Sequence, residues 1–225
     1  GKTLLTHEAV ERVVLTGGAE TAELFRSWDP KMRIMAETSG KNAIVITPSA
    51  DLDLAVKDVV NSAFGHAGQK CSAASYVILV GSVGFSKRVH DQLLDAVRSL
   101  KVAWADDLSA QMGPLAAEPT GKLLRGLTTL EPGQKWEITP RRLDETNRLW
   151  SPGVRSGVEP GSEYHLVEYF GPILGIMRVN TLEEAIDAQN ATDYGLTAGL
   201  HSLDPDEINL WLNGIQAGNV YVNRG

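Results

Sequence analysis

Residues 52–64 carry Ala55, Val56, Val59, Val60, Ala63 and Phe64 at helical spacing. Gly65 and Gly68 end that pattern, and an apolar run follows at 76–80. A stripe of this kind must be buried against another layer, and a short continuous apolar run reads as a strand within a core. The same alternation repeats along the chain. Strand signals stand at 13–15, 43–47, 76–80, 173–179, 196–201 and 220–222. Helical signals stand at 19–26, 52–64, 85–100, 181–190 and from Asp204 onward. The pattern predicts an α/β fold. Phe85, Val89, Leu93, Val97 and Leu100 form one helical stripe. Thr181 to Glu184 matches a capping box, and Asp204-Pro205-Asp206-Glu207 reads as an N-cap, a proline at the first position and a reciprocal glutamate. Pro132, Pro140, Pro152 and Pro160 interrupt residues 131–161, which read as surface excursions with little regular structure.

At 225 residues, with 43% hydrophobic and 22% charged positions, the chain is globular and long enough to bury a sizeable core. A net charge of −7 offers no basic stripe to neutralise phosphates, so nucleic acid is not expected as a partner. No apolar run is long enough to span a bilayer. The five histidines show no metal-ligand spacing, and no metal is expected. The single cysteine, Cys71, excludes an internal disulfide, which is consistent with a reducing compartment and a cytoplasmic location.

Cys71 sits in Gly68-Gln69-Lys70-Cys71-Ser72-Ala73. A lone cysteine is usually a small buried hydrophobe. Here glycines and polar residues crowd it, which suits an exposed turn. Two further runs carry carboxylates: Glu37-Thr38-Ser39-Gly40-Lys41 upstream and Glu168-Tyr169-Phe170-Gly171-Pro172 downstream. A thiol with a carboxylate base is the equipment of nucleophilic catalysis at a carbonyl. Lys70 and Ser72 put a cation and a hydroxyl beside the thiol; the cation favours the thiolate, and both suit an anionic substrate.

These three runs, in this order and at these positions, resemble the catalytic core of the aldehyde dehydrogenase superfamily. The ending Asn219-Val220-Tyr221-Val222-Asn223-Arg224 and the run 65–73 resemble the glutamate γ-semialdehyde dehydrogenases, in particular those of bifunctional proline-utilisation proteins. The resemblance implies an open, mostly parallel sheet with flanking helices, at residues 40–225, preceded at 1–39 by the last part of a Rossmann-like cofactor domain. It implies NAD as cofactor, Cys71 as nucleophile and Glu37 as base. It assigns Glu168 to the nicotinamide ribose, Phe170 to the nicotinamide ring, and Gly17, Gly18 and Thr38 to the cofactor's surroundings. Serine is usual in that family where Gly18 stands, and leucine-glycine where Thr38-Ser39 stands. The implied reaction is oxidation of L-glutamate γ-semialdehyde to L-glutamate in proline breakdown. The alternatives are a dehydrogenase for another small acidic semialdehyde, or a catalytically silent piece with a structural role. The resemblance also implies a homo-oligomeric parent protein, fusion to a proline dehydrogenase domain, and segments beyond both ends of this chain. The chain alone is therefore expected to lack dehydrogenase turnover.

Overall fold

The computed structural model describes residues 1–224. It divides into two compact units, Gly1–Gly40 and the chain from Lys41 onward. The first unit holds a short helix α1 (Lys2–Leu5), strand β1 (Val13–Gly17), helix α2 (Ala19–Trp28) and strand β2 (Ile34–Thr38). β1 and β2 pair in parallel, with Thr16 beside Glu37 and Gly17 beside Thr38. Ala22 is the buried contact of α2, and Phe25 stacks on Trp28 with ring centroids 5.0 Å apart.

The second unit is built on a seven-stranded sheet. Its strands are β3 (Asn42–Ile46), β4 (Ala74–Val80), β5 (Lys135–Ile138), β6 (Gly153–Ser156), β7 (Ile173–Val179), β8 (Thr197–His201) and β9 (Asn219–Val222). Their spatial order is β5-β6-β7-β4-β3-β8-β9. Every pair is parallel except β5 with β6. The helices are α3 (Leu52–Phe64), α4 (Lys87–Arg98), α5 (Gly121–Thr128), α6 (Glu163–Leu166), α7 (Leu182–Asn190) and α8 (Pro205–Gly214).

Side-chain caps start several helices by accepting otherwise orphaned backbone N–H groups. Asp51 accepts from Leu54, Ser86 from Val89, Thr181 from Glu184 and Asp204 from Asp206. Central β3 is buried at all five positions, and β4 at all but one, because helices cover both faces of a parallel sheet. Trp211, fully buried on α8, donates from Nε1 to Gln189 on α7, and Gln189 donates to the Ala43 carbonyl of β3. That relay satisfies polar groups inside an apolar core.

Three local expectations change. Residues 131–161 are not mere excursions, since β5 and β6 lie there and complete one edge of the sheet. The physical reason is Arg155, a charge that reads as surface but is 1% exposed. Its guanidinium lies 4.5 Å from the Trp136 ring and 4.3 Å from Tyr164, and it donates to Gln134 and the Gly126 carbonyl. Phe85 drops out of the α4 stripe. It precedes the Ser86 cap, is 76% exposed, and faces the Arg178 guanidinium at 5.9 Å. Glu207 does not turn back to its own cap, because it accepts instead from the Ser49 and Ser202 hydroxyls.

Two fully buried histidines make stability depend on pH. His165 accepts from the Gly161 N–H at Nδ1 and pairs with the Ala188 carbonyl at Nε2, 2.7 Å away, which fits the neutral ring. His201 lies 3.6 Å from Asp58, and neither ring nitrogen has a hydrogen-bond partner among the described residues. Burial holds both below the usual histidine range, outweighing Ala188 in one case and Asp58 in the other. The unfolded chain therefore binds more protons than the folded one below pH ~6.5, so stability is full above that pH and falls as pH falls through it. Urea unfolding from pH ~7.5 to ~5.5 is expected to show a decline of up to about 1.4 kcal/mol per pH unit for each histidine. Rising stability over that window would contradict the neutral assignment.

Candidate active site

Cys71 is exposed and follows a tight turn, Gly65–Gly68. His66, Ala67 and Gly68 all have positive φ there, at 53°, 54° and 66°. Non-glycine residues pay for that conformation, so surrounding structure must hold it. Asn42, buried at the start of β3, supplies one restraint. Its Nδ2 donates to the carbonyl oxygens of Cys71 at 2.7 Å and Ala73 at 3.0 Å, and its Oδ1 accepts from the Thr197 N–H at 3.2 Å. Ser62, near the end of α3, accepts from the Ala74 N–H at 3.2 Å. The thiol thus stands on a turn clamped to β3 and to α3.

The loop after α6 forms the other side. A Cβ on Gly68 would come 2.2 Å from the Gly171 carbonyl oxygen, so the two loops touch through bare backbone. Gln69 spans them, donating to the Phe170 carbonyl at 3.3 Å while accepting from the Ala116 N–H at 2.8 Å. Glu168 is 7% exposed, whereas Phe170, at φ 56°, is 39% exposed. Behind them lies Lys41, 4% exposed, with its ammonium 4.0 Å from the Tyr164 ring centroid and 5.3 Å from that of Tyr169.

Lys70 and Ser72 open into a cleft of about 290 Å³, which is also lined by Asn61, His66, Tyr221 and Arg224. The thiol's two neighbours line this cleft, and the cleft's ionisable groups are cationic or neutral. Among the described residues, no group of three or more His, Cys, Asp or Glu side chains could hold a metal ion, and no helix is long and apolar enough to cross a membrane.

The remaining candidates belong to the first unit. Gly17 and Thr38 are the last residues of two parallel strands, the end where such sheets receive ligands. Glu37 is exposed beside them. Gly18 caps α2 without a side chain, and Ser39 Oγ accepts from the Ala19 N–H at 3.2 Å. A Glu20 carboxylate oxygen lies 2.8 Å from where a Cβ on Gly18 would stand. In the second unit, a buried Glu168 carboxylate beside an open Phe170 is chemistry that suits a ribose and a flat heterocycle.

Sequence reasoning missed Lys41, Asn42 and Gln69. The available signal was the polar pair Lys41-Asn42 immediately before the apolar run 43–47, where a buried strand begins.

The aldehyde dehydrogenase family profile matches residues 1–225, and the chain belongs to that family. Among curated relatives, a 1-pyrroline-5-carboxylate dehydrogenase of Staphylococcus haemolyticus is 33% identical over 86% of this chain and 37% of its own length. Among solved structures, Proline Utilization A from Corynebacterium freiburgense is 57% identical with a TM-score of 0.97, covering 100% of this chain and 23% of that one. A 1-pyrroline-5-carboxylate dehydrogenase from Thermus, solved with bound NAD, is 30% identical with a TM-score of 0.87, covering 98% of this chain and 44% of that one. The chain thus spans less than half the length of each of these proteins.

Replacing Gly68 with alanine tests the contact between the two loops. Positive φ and the Gly171 carbonyl both oppose a Cβ, and the expected loss is on the order of 3 kcal/mol by denaturant unfolding. A loss below about 1 kcal/mol, within the spread of ordinary substitutions, would show that the loops part easily.

Proposed function

We propose that the protein carrying this chain oxidises L-glutamate γ-semialdehyde to L-glutamate with NAD, as a step of proline breakdown. The observation that carries this reading is the 57% identity to Proline Utilization A over the whole chain. The cationic and polar cleft beside Cys71 supports a substrate with a carboxylate. The same reading extends to a homo-oligomeric parent and to fusion with a proline dehydrogenase domain.

In this reading the Cys71 thiolate adds to the aldehyde carbon, and the carbonyl oxygen becomes an oxyanion accepting from the Cys71 N–H. Lys70 and Ser72 hold the distal carboxylate. Glu168 would hold the cofactor's ribose hydroxyls and Phe170 its nicotinamide ring, with Thr38 beside the nicotinamide and Gly17 and Gly18 on the phosphate side. NAD, when bound, would supply the hydride acceptor, and loss of that hydride from the carbon would leave the acyl group on Cys71 as a thioester. Glu37 removes a proton from water; the hydroxide adds to the thioester, and glutamate leaves as the thiolate returns.

A second reading has one observation in its favour. An NADP-dependent glyceraldehyde-3-phosphate dehydrogenase of Streptococcus equinus is 30% identical over 99% of this chain and 46% of its own length. Comparing glutamate γ-semialdehyde, succinate semialdehyde and glyceraldehyde 3-phosphate with either dinucleotide separates the two; preference for the phosphorylated aldehyde would sink the first.

Cys71→Ala in the full-length protein is expected to abolish turnover and leave NAD binding within about twofold, because the alanine removes only the nucleophile. Wild-type turnover would remove Cys71 from that role. Glu37→Gln is expected to leave a rapid burst of NADH followed by a steady state slower by about a hundredfold or more, since acylation proceeds without the base. Burst and steady state falling together would move Glu37 to an earlier step.

A further inference from the structure

Lys41 presents an interior ammonium that has no hydrogen-bond partner among the described residues. An ammonium in that state costs several kcal/mol unless its surroundings return the energy, and an apolar side chain would fill the same space more cheaply. Three tyrosine rings surround it: Tyr164 at 4.0 Å, Tyr169 at 5.3 Å and Tyr76 at 5.9 Å. The cage is fixed in place. The Tyr164 hydroxyl donates to the Ser75 and Ile173 carbonyls, and its ring stacks on Tyr169 at 5.2 Å. Tyr169 is the residue between Glu168 and Phe170, so the cage wall and the candidate cofactor loop are one segment.

The charges facing Lys41 are unevenly arranged. The Arg155 guanidinium opposes it, as does any charge on His165. The carboxylates of Glu168 and Glu131 favour it. Glu131 is already engaged by the Glu163 and Tyr164 N–H groups and by Gln134. Burial holds Lys41 well below the usual lysine range, with Arg155 adding to the fall and the two carboxylates resisting it.

We infer that Lys41 is a positioning residue: seated against Tyr169 and its stacked neighbour Tyr164, it fixes the Glu168-Tyr169-Phe170 segment so that Glu168 meets the ribose hydroxyls of the cofactor. This rests on the reading of Glu168 as a ribose-binding carboxylate. Lys41 itself touches neither cofactor nor substrate. Its loss should appear in the affinity for dinucleotide and act through Glu168.

A double-mutant cycle on the full-length protein tests this, with the KM for NAD as readout and thermal melting to verify folding. Glu168→Gln and Lys41→Met are each expected to raise that KM by roughly tenfold, and together by no more than about twofold beyond either alone, since coupled neighbours are not additive. Lys41→Gln serves as a second neutral variant if Lys41→Met does not fold. If Glu168→Gln alone leaves the KM unchanged, the ribose reading fails and takes this inference with it. If Glu168→Gln raises the KM and the lysine variants add their full effect on top, the ribose reading stands and the positioning role is overturned. Failure of both lysine variants to fold, including in the Glu168→Gln background, would assign Lys41 to the fold instead.

Discussion

The second unit depends on how β3 begins. Asn42 donates twice into the turn that carries Cys71 and accepts once from the first residue of β8. A single buried amide thus ties the exposed turn to the middle of the sheet and to the strand on its other side. A loop with three consecutive positive-φ residues would otherwise relax, since each is held only by its surroundings. Leaving such groups unpaired in the interior would cost about 1–3 kcal/mol each, so the clamp is rigid for an energetic reason.

The neighbouring residue works toward the other wall. Lys41 sits in its tyrosine cage and Arg155 packs against Trp136 and Tyr164, so two buried cations share one cluster of aromatic rings. Faces of aromatic rings compensate part of the desolvation that burial imposes on both. Gln69 and the bare backbones of Gly68 and Gly171 then close the distance between this loop and the thiol turn. The separation of a carboxylate-and-ring segment from a nucleophile segment is thereby set by backbone contact, which has little room to vary.

Much of this was legible along the chain. The α3 pattern from 52 to 64, the glycines that end it and the apolar run after it locate Cys71 on a helix-to-strand turn without coordinates. The capping residues Asp51, Ser86, Thr181 and Asp204 act locally, within a few positions of themselves. Edge strand β5 and its neighbour β6 were not legible. Four residues are too few to show a period, and Arg155 disguises a buried strand as surface. Glu207 looked like part of its own cap, yet Ser49 and Ser202, one of them distant in sequence, compete for its carboxylate.

The sequence by itself determined the α/β alternation, the thiol's exposed turn and the three runs that mark the aldehyde dehydrogenase family, because periodicity, glycine stops and motif spacing are properties of neighbours along the chain. Only the tertiary structure decided that Lys70 and Ser72 share a cleft with Asn61, His66, Tyr221 and Arg224, and that Gln69 reaches Phe170. It also decided that Lys41 and Arg155 are interior. Those outcomes depend on which distant side chains arrive to desolvate, pair with or stack upon a residue, and a parallel sheet brings them from strands far apart in sequence.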